Sequence, residues 1–401
     1  MTAWLPSVPG IKGNEMTLSR RTLLGAGSVA MAGLAAAPAT AAPAKRTGSL
    51  EAATDAAVEA ALKAGACAGV AVALWRDGKA LLDKGYGAAN LETATAVEPH
   101  SIFRIGSLTK QFTAAAVVKL AAQGRVKLDA PVAQYLKCFA PLAAVTLYEL
   151  LTHTAGLHSD DSAPVCLPAD GKSPSQTDLA RAIAAQAKPF DFPPGTAWLY
   201  SNANYIVLGA VIEAVAGTPL HEAMRSLLFE PLGLNATAFD RAEDVVRGRV
   251  SGYTPGATAG TFVNAAYIPV AQAGGAGAMR STAGELCAWH RKLFGGALFD
   301  AAQLRKMTTP GRLRDGRLGS AHRFSPQDAV YGDTQYGFGL LLPPPVKGQR
   351  SVLHYGAIDG FGACLETYPD RAMTLAVLCN ADMNPVLPIR ALRHVVIDQL
   401  L

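Results

Sequence analysis

The sequence predicts an α+β fold: a central antiparallel sheet built from both ends of the mature chain and flanked by helices, plus an inserted, mainly helical subdomain. Strand patterns with short turns occupy the stretch from Gly69 to Gly85 and return three times between Tyr336 and Cys379. The residues between them are mainly helical and loop-rich. Half of the 401 residues are apolar, which is enough for a sizeable core.

The N-terminal contribution to the sheet is predicted to be a helix followed by a hairpin. An Ala/Leu/Val pattern indicates an amphipathic helix from Ser49 to Ala64. The apolar run Gly69 to Trp75, the turn Asp77-Gly78 and a second strand to Gly85 are typical of a β-hairpin. Because the first strand has no polar position, we expect both of its faces to be buried.

The middle of the chain is predicted to be helical. Thr146 to Glu149 forms a capping box that opens a short helix, which ends at Gly156. A strongly apolar helix from Asn204 to Ala216 follows, and then a second one from Leu220 to Phe229.

The last third of the chain begins with a glycine-rich turn at Gly274–Gly277. A second capping box, Thr282 to Glu285, opens a helix that continues to Phe294. The polar, Arg/Gly-rich stretch from Gly311 to Thr334 is predicted to be a mobile surface loop. Strands over Tyr336–Leu342 and further on complete the sheet, and residues 388–401 are predicted to form a terminal helix.

The first 41 residues have the pattern of an export signal. The pair Arg20-Arg21 precedes a weakly apolar run, and the small residues Ala39-Thr40-Ala41 resemble a cleavage site. Paired arginines before a weakly hydrophobic core are typical of a twin-arginine signal. We therefore expect a periplasmic or secreted protein, with Met16 as an alternative start. A disordered alanine-rich tail is the competing interpretation.

Composition argues against several classes of partner. The formal net charge is +5, but no Lys/Arg run with interleaved aromatics suggests nucleic-acid binding. No segment after residue 45 is apolar and long enough to span a membrane. None of the six cysteines forms a C-x-x-C pair, so the common structural zinc pattern is absent. The cysteines are compatible with a Cys138–Cys166 disulfide and equally with buried free thiols.

The stretch from Arg104 to Thr113 carries a serine and a lysine one helical turn apart. Gly106 allows a tight entry into the helix, and Ser107 lies near its N-terminus. Lys110 is on the same face, so its amine can reach the Ser107 oxygen. A hydroxyl is a poor nucleophile until a neighbour takes its proton, and a lysine kept neutral can do this.

Two further elements follow this Ser-x-x-Lys motif. They are Tyr200-Ser201-Asn202, before a strong helix, and His354-Tyr355-Gly356, after a strand. Ser-x-x-Lys with Ser-Asp-Asn and Lys-Thr-Gly elements is the signature of penicillin-binding proteins and some β-lactamases. Here the second element is Tyr-Ser-Asn and the third is His-Tyr-Gly.

With these elements the chain, from about Leu50 to its C-terminus, resembles the class C β-lactamase-like serine hydrolases, which include D-Ala-D-Ala carboxypeptidases and related esterases. Further motifs carry the resemblance: Phe103–Phe112, Leu150–Leu157, Pro193-Pro194-Gly195, Gly274–Gly277 and Gly360-Phe361. It implies a β-lactamase/transpeptidase-like fold, a small-molecule or peptide substrate and no cofactor.

The resemblance also implies the domain plan. Residues 42–401 would be one serine hydrolase domain, with the sheet part at about 49–115 and 266–401 and the helical part at about 116–265.

The resemblance implies a role for each site residue. Ser107 would be the acyl-forming nucleophile, Lys110 its activator and Tyr200 the group that shuttles a proton to the leaving group. Asn202 would orient Lys110 and the substrate carbonyl. The backbone N–H groups of Ser107 and Ala357 would form an oxyanion hole, in which each donor typically contributes about 3–4 kcal/mol to transition-state stabilisation.

The third element departs from the family pattern. His354 stands where a lysine would meet a substrate carboxylate, and we expect it to titrate beside Tyr200. Tyr355 is bulky and is expected to extend its hydroxyl outward, and Gly356 is expected to make room for substrate backbone. These departures favour a general hydrolase over an efficient β-lactamase.

The sequence therefore predicts an exported serine hydrolase that acts on an amide or ester, such as a β-lactam, a D-alanyl peptide or a small ester. The alternative is a catalytically silent penicillin-recognising or scaffold protein. His153 and His158 have poor spacing for a metal site, so no metal is expected, and His153 is interpreted as a structural loop residue.

Overall fold

The computed structural model describes residues 49–142, 145–159 and 174–401. The predicted export signal and Cys166 lie outside these residues. Within the described part, the only feature that meets the length and hydropathy criteria of a membrane span is a sharply bent pair of helices, Asn202–Ala216 with Leu220–Leu232; no single helix meets them.

The elements are named in chain order. The strands are β1 Gly69–Arg76, β2 Lys79–Asn90, β3 Thr95–Ala96, β4 Phe103–Arg104, β5 Ala238–Phe239, β6 Tyr253–Pro255, β7 Phe262–Asn264, β8 Met279–Ser281, β9 Gln335–Tyr336, β10 Leu341–Leu342, β11 Val352–Ile358, β12 Phe361–Tyr368 and β13 Met373–Cys379. The α-helices are α1 Leu50–Lys63, α2 Thr109–Ala122, α3 Leu147–Leu151, α4 Gln176–Ala184, α5 Asn202–Ala216, α6 Leu220–Met224, α7 Glu230–Leu232, α8 Gly274–Gly277, α9 Ala283–Phe294, α10 Ala301–Thr308 and α11 Ile389–Leu400.

Both ends of the described chain contribute to one eight-stranded antiparallel sheet. The strand order is β3-β2-β1-β13-β12-β11-β10-β9, so the first strand of the chain pairs with the last. In this pairing Val72 lies opposite Val377. The predicted fold class is therefore confirmed.

Helices cover both faces of the sheet. Along β1, Val70, Val72 and Leu74 pack in a core with α1 and α11, whereas Ala71 and Ala73 belong to the core on the opposite face, with α2 and α9. Successive side chains of a strand point to opposite faces, so a wholly apolar strand is buried on both sides, as predicted.

The helix α5 is the centre of the helical part. It packs against α2, α3, α4 and α8, and nine of its residues are buried. It ends at Gly217, whose φ of 75° is the left-handed conformation that closes many helices. The second predicted helix, Leu220–Phe229, is present but widens into a π-helical turn over Arg225–Phe229.

Only one of the two predicted capping boxes forms completely. Thr146 and Glu149 cap α3 reciprocally. At α9, Thr282 accepts the N–H of Glu285, but the Glu285 carboxylate turns away. It accepts instead three consecutive backbone N–H groups from residues 235–237, at 2.7–2.9 Å. Three charge-assisted hydrogen bonds outweigh the single bond of a capping box.

Two predictions for the C-terminal part need correction. The single strand predicted over Tyr336–Leu342 is instead the end of β9 and the whole of β10, because the chain turns between them at Gly339, where a side chain would meet the Lys110 carbonyl. The stretch Gly311–Thr334 is packed on the protein and is not a free surface loop: the backbone N–H of Trp198 donates to the His322 carbonyl at 2.9 Å, and the backbone N–H of Phe324 donates to the Trp198 carbonyl.

Candidate active site

Ser107 lies on a tight turn between β4 and α2. Residues Gly106–Leu108 form one turn of 3₁₀-helix, and α2 begins at Thr109. Gly106 has a φ of 50°, and a Cβ there would lie 2.7 Å from the backbone nitrogen and oxygen of Ala357. A glycine is therefore required at this position, since the turn is pressed against β11.

Lys110 is completely buried and contacts three acceptors. Its Nζ lies 3.1 Å from Ser107 Oγ, 2.8 Å from Asn202 Oδ1 and 2.9 Å from the carbonyl oxygen of Ala276. These partners come from the 3₁₀ turn before α2, from α5 and from α8, so three separate segments surround the amine. The structure thus brings Ser107, Lys110 and Asn202 together, as the resemblance implies.

Tyr200 stands beside this group. It precedes α5 by two residues, and its ring centroid lies 4.8 Å from Lys110 Nζ. Three other rings surround it, with centroids 4.5 Å away for His153, 6.1 Å for His354 and 6.2 Å for Tyr336. The phenol therefore lies at the junction of the helical part and the sheet.

His354 is 1% exposed and both of its ring nitrogens are used inside the protein. Nδ1 donates to the Tyr355 carbonyl at 2.6 Å, and Nε2 accepts from the Tyr336 hydroxyl at 3.2 Å. Burial and the neighbouring Lys110 lower the pKa of His354 to about 3. The expectation of a titrating cation at this position is wrong, because the imidazole is neutral near pH 7.

The Tyr355 side chain points to the opposite face of the sheet. Its hydroxyl accepts a hydrogen bond from Arg393 Nη1 at 2.9 Å, and Arg393 forms a bidentate ion pair with Glu366 at 2.6 and 2.9 Å. The expectation that this hydroxyl extends outward from the site is therefore wrong. The reason is the alternation of side chains along a strand.

Gly356 serves the protein's own packing. A Cβ at this position would lie 2.0 Å from the carbonyl oxygen of Ile105. The space that we expected a substrate to use is filled by the segment that leads into Ser107. Next along β11, Ala357 lies against Gly106, which places its backbone beside the nucleophile turn.

Sequence reasoning missed Tyr336 and underrated His153. Tyr336 is buried and contacts His354, Tyr200 and His153. Its only signal in the sequence was a place in a strand pattern. His153 is also buried, and burial, Lys110 and His354 lower its pKa well below the usual value.

His153 and His158, the two histidines assessed above as metal ligands, have different partners. His158 pairs with Asp191 at 2.8 Å, whereas His153 faces the aromatic residues around Tyr200. Among the described residues, no three His, Cys, Asp or Glu side chains are grouped as metal ligands would be.

The family model for Beta-lactamase matches residues 54–397. The chain belongs to this family. The matched range includes every residue of the site just described.

Family members and related structures differ in activity. Esterase EstB of Burkholderia gladioli is 36% identical over 208 residues, covering 49% of this chain and 53% of the esterase. Penicillin-binding protein 4 of Amycolatopsis lactamdurans is 34% identical over 189 residues, covering 46% and 47% of the two chains. This chain therefore matches about half the length of each of these two relatives.

A solved structure agrees over a longer span. The D-stereospecific amidohydrolase from a Streptomyces species has a TM-score of 0.66 and 27% identity, covering 85% of this chain and 97% of that one. The comparisons thus support a hydrolase fold. The similar proteins include an esterase and an amidohydrolase.

Proposed function

We propose that this protein is a serine hydrolase that forms an acyl-enzyme on Ser107 and hydrolyses a small amide or ester. The observation that carries the proposal is the environment of the Lys110 amine. Two carbonyl oxygens, those of Asn202 and Ala276, lie within 3 Å of Nζ. In the structure Nζ also donates to Ser107 Oγ at 3.1 Å. We propose that Lys110 is deprotonated in the reactive state, in which a neutral amine has two N–H donors and one lone pair, so that its bonds to the two carbonyls direct the lone pair to the Ser107 hydroxyl.

The reaction follows from this arrangement. Ser107 Oγ attacks the substrate carbonyl while its proton passes to Lys110 Nζ, and the negative charge that develops on the carbonyl oxygen meets the backbone N–H groups of Ser107 and Ala357. The bond to the leaving group then breaks as Tyr200 gives a proton to the departing nitrogen or oxygen and takes over the proton that Lys110 received from Ser107. Water attacks the acyl-enzyme and gives a proton to the same pair, and the bond to Ser107 Oγ breaks as this oxygen recovers a proton from Lys110, which releases the acid.

Charge favours substrates without a carboxylate near the scissile bond. The third element supplies no cation, because His354 is neutral. Arg104, three residues before Ser107, is paired with Asp240 at 2.8 Å, and Arg393 is paired with Glu366 behind the sheet. We therefore place neutral esters and amides ahead of penicillins and C-terminal D-alanyl peptides as substrates.

The test compares Ser107→Ala with Ser226→Ala. Ser226 is a suitable control because its hydroxyl donates within its own helix, to the Ala223 carbonyl. We expect Ser107→Ala to abolish hydrolysis of p-nitrophenyl butyrate and labelling by a fluorophosphonate, and Ser226→Ala to retain both. Mass spectrometry of the labelled wild-type protein should locate the adduct on Ser107. Full activity in Ser107→Ala would refute the mechanism.

Parallel assays would then rank the substrates. We expect p-nitrophenyl butyrate and a neutral D-amino acid amide to be hydrolysed faster than nitrocefin and a D-Ala-D-Ala peptide. A wild-type protein that neither hydrolyses any of these nor reacts with the fluorophosphonate would favour the alternative of a silent recognition protein.

We also propose that the protein works outside the cytoplasm. The basis is the Arg20-Arg21 pair and the weakly apolar run that follows it. Cell fractionation should find wild-type protein outside the cytoplasm and the double variant Arg20→Lys, Arg21→Lys inside. Equal distribution of the two proteins would contradict a twin-arginine route.

A further inference from the structure

His153 has a backbone conformation that is unusual for a residue with a side chain. It follows the end of α3 with a φ of 60°, in the left-handed region, and it is completely buried. That conformation costs roughly 1–2 kcal/mol for a residue with a Cβ. Such strain persists only where the surroundings impose it, and it is often found near functional groups.

Three contacts connect His153 to the segment that carries Tyr200 and Asn202. Its carbonyl accepts the N–H of Leu199 at 3.0 Å. Its Nδ1 accepts the backbone N–H of Ser201 at 3.2 Å and lies 3.0 Å from Asn204 Nδ2. The ring thus contacts residues on both sides of Asn202, at the point where α5 begins.

The Ser201 N–H needs this acceptor. Ser201 is the N-cap of α5, but its own side chain donates to the Leu157 carbonyl and makes no capping bond. The residue is 2% exposed, so water does not replace a lost partner. A buried N–H left without an acceptor costs about 1–3 kcal/mol, enough to shift the turn.

We propose that His153 is a positioning residue: its Nδ1 acceptor fixes the start of α5, and so holds the Tyr200 phenol in place beside Lys110. The inference rests on the proposed function and adds a residue to it. With Nδ1 accepting, the proton of the neutral ring is on Nε2, which has no hydrogen-bond partner among the described residues. The ring faces Tyr200 from a centroid distance of 4.5 Å.

Two substitutions separate the acceptor from the bulk of the ring. In His153→Asn, the amide oxygen takes approximately the place of Nδ1, and asparagine tolerates the left-handed conformation. In His153→Leu, the bulk is kept and the acceptor is lost. Lys347→Leu is the matched control for backbone strain, because Lys347 is exposed and also left-handed, with a φ of 49°.

The readout compares two leaving groups through kcat/KM, which reports acylation. p-Nitrophenolate departs without a proton, whereas ethoxide needs one, so ethyl butyrate depends on Tyr200 and p-nitrophenyl butyrate does not. General acid catalysis typically contributes about 10²–10⁴-fold. We expect His153→Leu to lower kcat/KM for ethyl butyrate at least about 30-fold more than for p-nitrophenyl butyrate.

The other variants complete the test. His153→Asn should stay within about fivefold of wild type on both esters, a change of roughly 1 kcal/mol in the barrier, and Lys347→Leu should leave both rates unchanged. The proposal is overturned if His153→Leu slows both esters equally, or if His153→Asn is as impaired as His153→Leu. A failure of the proposed function would show differently, because wild-type protein would then fail to react with the fluorophosphonate.

Discussion

Replacing Gly356 by alanine tests whether the contact between β11 and the nucleophile turn sets the activity. The added Cβ would lie 2.0 Å from the Ile105 carbonyl oxygen, whereas real Cβ contacts shorter than 3.0 Å essentially do not occur. The two backbones must therefore separate by about 1 Å. Both belong to the buried core, so neither can yield as a flexible side chain would.

The expected effect is large on both stability and catalysis. Overpacking of this kind costs about 1–3 kcal/mol, measured as the loss in unfolding free energy on urea denaturation. A displacement of about 1 Å at reacting groups can cost roughly 10²-fold, so kcat/KM for p-nitrophenyl butyrate should fall by one to two orders of magnitude.

Gly284→Ala is the matched control for this substitution. Gly284 lies in α9, has an ordinary helical φ, and an added Cβ would meet only the end of the Asp83 side chain at 3.3 Å. Alanine is the better helix former by about 1 kcal/mol, so the control should be neutral or stabilising. Wild-type activity and stability in Gly356→Ala would refute the idea that this contact places Ser107.

Two further predictions concern buried charge. The pKa of His290 and that of His354 fall to about 3 by burial, against an ordinary value of 6.5, so the stability they provide is complete above about pH 6.5 and is lost as pH falls towards 3. Urea denaturation from pH 7 to pH 4 should show a falling unfolding free energy, and constant stability would contradict neutral histidines. Arg393→Met should cost about 3–5 kcal/mol by leaving Glu366 buried without its partner, and adding Glu366→Leu should recover most of the loss; a double variant as unstable as the single one would contradict this account.

Much of the fold followed from local rules that act over a few residues. The apolar run of β1 indicated a strand buried on both faces, and the apolar pattern that stops at Ala216 indicated the end of α5. The one-turn spacing of Ser107 and Lys110 placed the two side chains within reach of each other, and their observed distance is 3.1 Å. These features depend on helical and strand periodicity, which short sequence windows contain.

Other features depend on contacts between residues far apart in the chain. The neutral state of His354 follows from burial against Tyr336 and the nearness of Lys110, and no local pattern at residue 354 contains that information. The space beside Gly356, which we expected a substrate to use, is occupied by Ile105, about 250 positions earlier in the chain. The stretch 311–334 is held by Trp198, although its composition alone indicated a mobile loop.

Local sequence patterns were therefore enough to predict the α+β class, the position of the Ser-x-x-Lys motif at the start of a helix, and the family. Contacts in the folded chain were needed to learn which side of β11 carries His354, what occupies the space beside Gly356, and that His153 lies beneath Tyr200. Periodicity is a local property of the chain. Burial, pKa and close packing are instead set by neighbours that only the folded chain brings together.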